Sequence, residues 1–309
     1  MLSRKKFLLL LLAIVSALFS ACGQDELAKS QEPVIAVSIP PQEEFVKAIA
    51  GDNVKIVTMI PPGSSPETYQ PSPRQMQLFS TASVYFAMGV PSEEANILPK
   101  ASELNPDAKV IRLDKEVANV YPELYITGHT HENGEDSHED SHNDSESLSR
   151  DPHIWMSPKR VMVMVDVMEH ELSALDPENK ELYSSNANAY KEKLRQLDSS
   201  IRDQLSESGQ KEFIIYHPSM GYFADDYGLK MIAVENEGKD ATARQLQSII
   251  DLAKEHNIKV IFHQSEIASA QSRTLADEIG GRVVEITPLS SDYIQSMERI
   301  TAAFKEVLE

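Results

Sequence analysis

Short apolar runs alternate with amphipathic stretches along most of the chain. Pro33-Val34-Ile35-Ala36-Val37-Ser38-Ile39 has the composition of a buried strand, and Gln42 to Ala50 has helical spacing with a stop at Gly51. Val54 to Ile60 predicts a second strand, the proline-rich stretch 61–66 a loop, Pro73 to Ala82 a helix and Ser83 to Met88 a strand. The pattern returns after Gly209. Phe213 to Tyr216 reads as a strand, Met220 to Tyr227 as a helix and Lys230 to Val234 as a strand. A glycine-containing loop, a helix and the strand Val260 to Phe262 follow. Such alternation predicts mostly parallel sheets with flanking helices. Arg74-Gln75-Met76-Gln77 and Arg244-Gln245-Leu246-Gln247 stand at matching places in the two halves. The expectation is an α/β fold of two similar lobes, with a ligand beyond the carboxyl ends of the strands, in the cleft between them.

A longer pattern separates the halves. From Asp176-Pro177 to about Glu207, the residues Leu182, Tyr183, Ala187, Tyr190, Leu194, Leu197, Ile201 and Leu205 recur mostly three and four apart. One helix of this length would be about 45 Å long and would join the lobes. A break near Asp198-Ser199-Ser200 would make it a helix–turn–helix instead. The predicted organisation is an N-terminal lobe over 33–175, a linker helix over 176–208 and a C-terminal lobe over 209–309.

The N-terminus changes the compartment. Arg4, Lys5 and Lys6 precede the apolar run Phe7 to Val15, and small residues then lead to Cys22, the only cysteine. This reads as a signal peptide over 1–21. Leu18-Phe19-Ser20-Ala21-Cys22 resembles a bacterial lipobox, with Phe19 where leucine is usual. The resemblance implies a lipid on Cys22, a tether over 22–32 and an extracytoplasmic chain held at a membrane. The alternative is ordinary cleavage that leaves a free thiol. The formal charge is −19, and removing the leader takes away three positives and no acids, leaving −22. Such a surface repels nucleic acid.

Candidate chemistry concentrates in histidine. Four of the nine histidines, His129, His131, His138 and His142, lie in one acidic stretch within 128–150. So polar a segment offsets little of the entropy of ordering, and histidine beside carboxylates reads compositionally as metal binding. Three further loops each set a metal-competent side chain beside proline or glycine. They carry Glu67 in Pro66-Glu67-Thr68-Tyr69, His153 in Asp151-Pro152-His153-Ile154-Trp155 and His217 in Tyr216-His217-Pro218-Ser219. Taken singly, each side chain has a structural alternative, such as a helix cap for Glu67 or His153. No His-Glu-x-x-His helix, Gly-x-Ser-x-Gly elbow or phosphate-cradling glycine loop is present, so no enzyme is expected.

Asp-Pro-His-Ile-Trp-Met-Ser-Pro at 151–158 and His-Pro-Ser-Met-Gly-Tyr-Phe-Ala-Asp-Asp-Tyr-Gly-Leu at 217–229 resemble motifs of the metal-binding lipoproteins that serve bacterial zinc and manganese ABC importers. The resemblance runs from about Val34 to Leu308 and includes a His-rich acidic insertion before the Asp-Pro-His motif. It implies two lobes joined by one long helix, a single metal in the cleft, an ABC permease as partner and a monomeric receptor. His153 and His217 carry over directly. Glu67 stands where the family usually has histidine, and Thr287 where many members have aspartate. Glu266 is the candidate for the vacant fourth position, with Asp292 also nearby in sequence. Two imidazoles and a carboxylate suit Zn²⁺, while the added oxygen favours Mn²⁺ or Fe²⁺ more than three imidazoles would. The expected function is a high-affinity zinc receptor, with a manganese or ferrous iron receptor or a surface adhesin as alternatives. The 129–142 histidines are expected to act as an auxiliary, weaker binding tract.

Overall fold

The computed structural model describes residues 32–126, 149–235, 239–267 and 270–308. Cys22, His129, His131, His138 and His142 lie outside the described residues. Among those described, no helix is long and apolar enough to cross a membrane.

The first half runs β1 (Val34–Val37), α1 (Pro41–Ala50), β2 (Lys55–Thr58), α2 (Pro73–Phe79), β3 (Val84–Ala87), α3 (Pro91–Asn96), α4 (Leu98–Leu104), β4 (Lys109–Arg112) and α5 (Leu113–Ala118). A two-stranded antiparallel pair, β5 (Tyr125–Ile126) and β6 (Ser149–Arg150), leads into a 3₁₀ turn at Ile154–Met156 and then α6 (Pro158–Leu175). A short 3₁₀ turn at Pro177–Asn179 precedes α7 (Lys180–Ser206). The second half runs β7 (Glu212–Ile215), α8 (Gly221–Tyr227), β8 (Lys230–Ala233), α9 (Ala243–Glu255), β9 (Val260–Gln264), α10 (Ala270–Glu278), β10 (Arg282–Ile286) and α11 (Tyr293–Leu308).

Both large sheets are parallel, and both have the same strand order. The first is β2-β1-β3-β4 and the second β8-β7-β9-β10, so each is wound second, first, third, fourth. The repeated tetrapeptide has a structural basis. Ser72 and Gln75 form a capping box at the start of α2, and Thr242 and Gln245 form the same box at the start of α9. In each case a hydroxyl accepts from the third-residue backbone N–H while the glutamine side chain reaches back.

Strand alternation sorts side chains between cores. Ile35, Val37, Phe213, Phe262 and Ile286 face a shared central core with α1, α6, α7, α8 and α11. Their neighbours Ala36, Tyr85, Ile214 and Ile261 face two separate outer cores. The central core therefore runs as one apolar cluster through both lobes. Phe304 of α11 stacks on Phe262 at 4.1 Å and meets the edge of Phe213 at 4.7 Å.

The linker is a single helix of 27 residues, with no break near Asp198. Its buried stripe is Tyr183, Ala187, Tyr190, Leu194, Leu197, Ile201 and Leu205. Leu182 does not join it. It is 47% exposed, because one residue turns the helix by about 100° and Tyr183 takes the inward position. The helix is tied to both lobes. Asn186 donates to Ile49 O at 2.9 Å and Tyr190 to Glu44 at 2.8 Å on the first, and Tyr227 donates to Asp198 at 2.8 Å on the second.

Candidate metal centre

The Glu67 loop hangs from the carboxyl end of β2 and is fastened at several points. Gln75 donates to Met59 O at 3.0 Å and accepts from the Tyr69 hydroxyl. Ser92 N donates to Pro66 O at 3.0 Å, and Asn96 Nδ2 to Tyr69 O at 3.1 Å. The α2 cap and the start of α3 thus hold the loop against the first lobe.

His153 follows the β5–β6 pair. Asp151 N donates to Leu124 O at 2.8 Å, so the pairing continues to within two residues of the histidine. Asp151 Oδ1 then accepts from His153 N at 2.9 Å and lies 2.8 Å from His153 Nδ1. Trp155 Nε1 donates to Pro288 O of the second lobe at 3.0 Å, and Tyr293 returns a bond to Trp155 O at 2.9 Å.

His217 stands just beyond β7, and its Nδ1 is hydrogen-bonded to Glu235, which follows β8. Gly221 completes the arrangement by omission. A Cβ there would lie 2.2 Å from Asp151 Oδ2, so the start of α8 fits against Asp151 only as glycine.

Three donor atoms converge. His153 Nε2 and His217 Nε2 are 3.2 Å apart, and Glu67 Oε1 lies 3.7 Å from the first and 3.8 Å from the second. The circle through these atoms has a radius of about 2.1 Å, a normal zinc–nitrogen or zinc–oxygen bond length. Glu67 Oε1 is buried and has no hydrogen-bond partner. An orphaned carboxylate oxygen facing two imidazole nitrogens is costly unless a cation joins them. Both imidazoles are buried, at 2% and 4% exposure, whereas the Glu67 side chain is 18% exposed and lies on the solvent side. Burial works against a charge on His153. The hydrogen bond and charge of Asp151, together with the charge of Glu67, outweigh it and raise its pKa above the ordinary histidine value. With each Nδ1 held by a carboxylate, each Nε2 is left to face the centre.

The other candidates fall elsewhere. Among the described residues this is the one group of three or more such side chains with mutually close ligand atoms, and Glu266 is not in it. Glu266 follows β9. Its Oε2 is buried without a partner, and burial raises its pKa. Thr287 is engaged with α11, accepting at its carbonyl from Ser296 Oγ at 2.6 Å. Asp292 is exposed, His170 is exposed, and His256 pairs with Glu212. Asp151 and Glu235 had not been singled out from the sequence. Asp151 had a signal, two residues before His153 in the Asp-Pro-His motif. Glu235 had none, since only strand register brings it to His217.

A family model described as zinc-uptake complex component A, periplasmic, matches residues 35–307. The zinc-binding lipoprotein AdcA of Streptococcus pneumoniae R6 is 29% identical over 99% of this chain and 61% of its own length. The chain thus spans about three-fifths of that relative. The high-affinity zinc uptake system protein ZnuA of Bacillus subtilis strain 168 is 30% identical, with 97% of each covered. A crystal structure of ZnuA superposes with a TM-score of 0.79 at 31% identity, covering 90% of this chain and 100% of that one. The chain belongs to the family of periplasmic zinc-uptake component A proteins.

Proposed function

We propose that this protein is an extracytoplasmic receptor that captures a divalent transition metal, zinc, in the cleft between its lobes and hands it to an ABC permease. His153, His217 and Glu67 are the protein's ligands in this reading, and solvent completes the shell. The observation that supports it most is the meeting of two oppositely anchored imidazole nitrogens and an unpartnered carboxylate oxygen, spaced for bonds of about 2.1 Å. No bond is made or broken in the cargo. The relatives' names, AdcA and ZnuA zinc proteins, agree with this reading.

A second reading keeps the receptor but changes the ion. Glu67 supplies oxygen where three imidazoles would be softer, and oxygen favours Mn²⁺ or Fe²⁺. Cys22 carries the lipid anchor in the proposal, and the histidines at 129, 131, 138 and 142 raise local metal concentration. Deletion of the gene tests the biological role. Zinc uptake at low external zinc is expected to fail while adhesion is unchanged, and unimpaired uptake would remove the receptor reading.

A further inference from the structure

Behind the two histidine loops lies a buried polar cluster that crosses the lobe boundary. Arg160 of α6 is 1% exposed and Asp226 of α8 is 8% exposed. Arg160 Nη1 donates to Asp226 Oδ1 at 2.8 Å and to Ser157 Oγ at 3.2 Å, and Ser157 Oγ donates to Asp226 Oδ2 at 2.5 Å. Lys159 adds an ion pair to the same carboxylate. The guanidinium lies 4.5 Å from the centre of the Tyr222 ring and 5.4 Å from that of Tyr121. The Tyr222 hydroxyl accepts from Leu124 N at 3.1 Å and donates to Asp151 O at 3.3 Å.

The placement of these residues gives the cluster its consequence. Ser157 lies four residues after His153, with only the 3₁₀ turn between them, and Tyr222 and Asp226 belong to the helix that follows His217. Asp151, whose carbonyl Tyr222 grips, is the residue that orients His153. Buried ion pairs add little net stability compared with apolar side chains of similar volume, because desolvation cancels most of the attraction. Their directional bonds instead favour one arrangement over its neighbours. The apolar contacts of the central core tolerate small slips between lobes, whereas an Asp226 carboxylate held at Oδ1 by Arg160 Nη1 and at Oδ2 by Ser157 Oγ does not.

We infer that Arg160, Asp226 and Tyr222 form a bolt across the lobe boundary that sets the spacing between His153 and His217. They are positioning residues for metal capture. The inference rests on the receptor reading above. A pair of imidazoles held at bonding distance before the ion arrives avoids the ordering cost of assembling the site around it.

The test uses the full mature chain. Zinc affinity is measured by competition, thermal unfolding is recorded, and Co²⁺ is used as a visible probe because Zn²⁺ has no d–d bands. The proteins are wild type, Asp226→Asn and Tyr222→Phe. Asp226→Asn is expected to weaken zinc by about tenfold or more and to shift and weaken the Co²⁺ bands, and Tyr222→Phe to do the same to a lesser degree. Folded variants with wild-type affinity and wild-type Co²⁺ bands would overturn the bolt. Where Asp226→Asn does not fold, Tyr222→Phe decides alone, since it keeps the ring over Arg160 and removes only the hydroxyl. If the wild type itself binds neither zinc nor cobalt tightly, the receptor reading has failed, not the bolt.

Discussion

His153 and His217 stand 64 residues apart in the chain, yet their Nε2 atoms lie 3.2 Å from each other with the rings crossed at 77°. Each is pinned from behind by a carboxylate on its own lobe, Asp151 for the first and Glu235 for the second. Substituting either histidine by alanine removes one of three donors: without His153 the remaining Glu67 and His217 face each other across the cleft, and without His217 both remaining donors lie on the first lobe. The expected loss in zinc affinity is more than about a hundredfold, beyond that usual for outer partners, as read by competition with a chelator. Thermal unfolding of the metal-free protein should change far less.

Asp151→Asn is expected to weaken zinc by about ten- to a hundredfold at pH 8, since the imidazole loses its orienting carboxylate. The pH profile gives a second signature. Zinc needs the neutral imidazole, so protons compete with it as pH falls through the raised His153 pKa, by up to about tenfold per pH unit for each proton displaced. Removing Asp151 takes away the largest cause that raises this pKa and leaves burial, which lowers it. Proton competition in the variant therefore begins at lower pH. In the metal-free fold the sign is opposite. The raised pKa contributes stability below the ordinary histidine value, and that contribution is lost as pH rises through the folded one.

Gly221→Ala should disturb the site without touching a donor atom. The new methyl would sit 2.2 Å from Asp151 Oδ2, so Asp151 or the start of α8 must shift. The expected cost is about 1–3 kcal/mol in unfolding free energy, with weaker zinc binding alongside. Denaturant titration with and without zinc measures both.

Glu67→His replaces oxygen by a third imidazole. The ratio of zinc to manganese affinity is expected to rise by about tenfold, read by paired competition titrations. An unchanged ratio would show that Glu67 does not contact the ion.

Zinc should also stabilise the fold it fills. At free zinc a thousand times the dissociation constant, the unfolding free energy is expected to rise by about 4 kcal/mol, and a chelator should reverse the gain. Calorimetry of the same sample before and after chelation checks it.

Much of this architecture was legible in the chain because it is local. The linker helix declared itself by an eight-residue apolar pattern, of which all but Leu182 turn inward, and the echo of Arg74-Gln75 in Arg244-Gln245 marked two capping boxes on two equivalent helices. His153 and His217 stood out because proline flanks them in specific motifs. What the sequence concealed is long-range. The β5–β6 pair is only two residues deep, too short to show a period, although it is what delivers Asp151. Glu235 reaches His217 only through the β7–β8 register, and Asp226 reaches Arg160 only when α8 docks against α6. Glu266 attracted attention as a carboxylate after a strand, but its place after β9 leaves it outside the converging atoms.

The most direct test is a competitive titration of the lipid-free mature protein with residues 129–142 deleted, using Zn²⁺ and Mn²⁺, beside the same protein carrying His153→Ala. The account predicts one tight zinc site, much weaker manganese binding and loss of that site in the variant. Tight zinc binding that survives His153→Ala, or manganese bound as tightly as zinc, would contradict it.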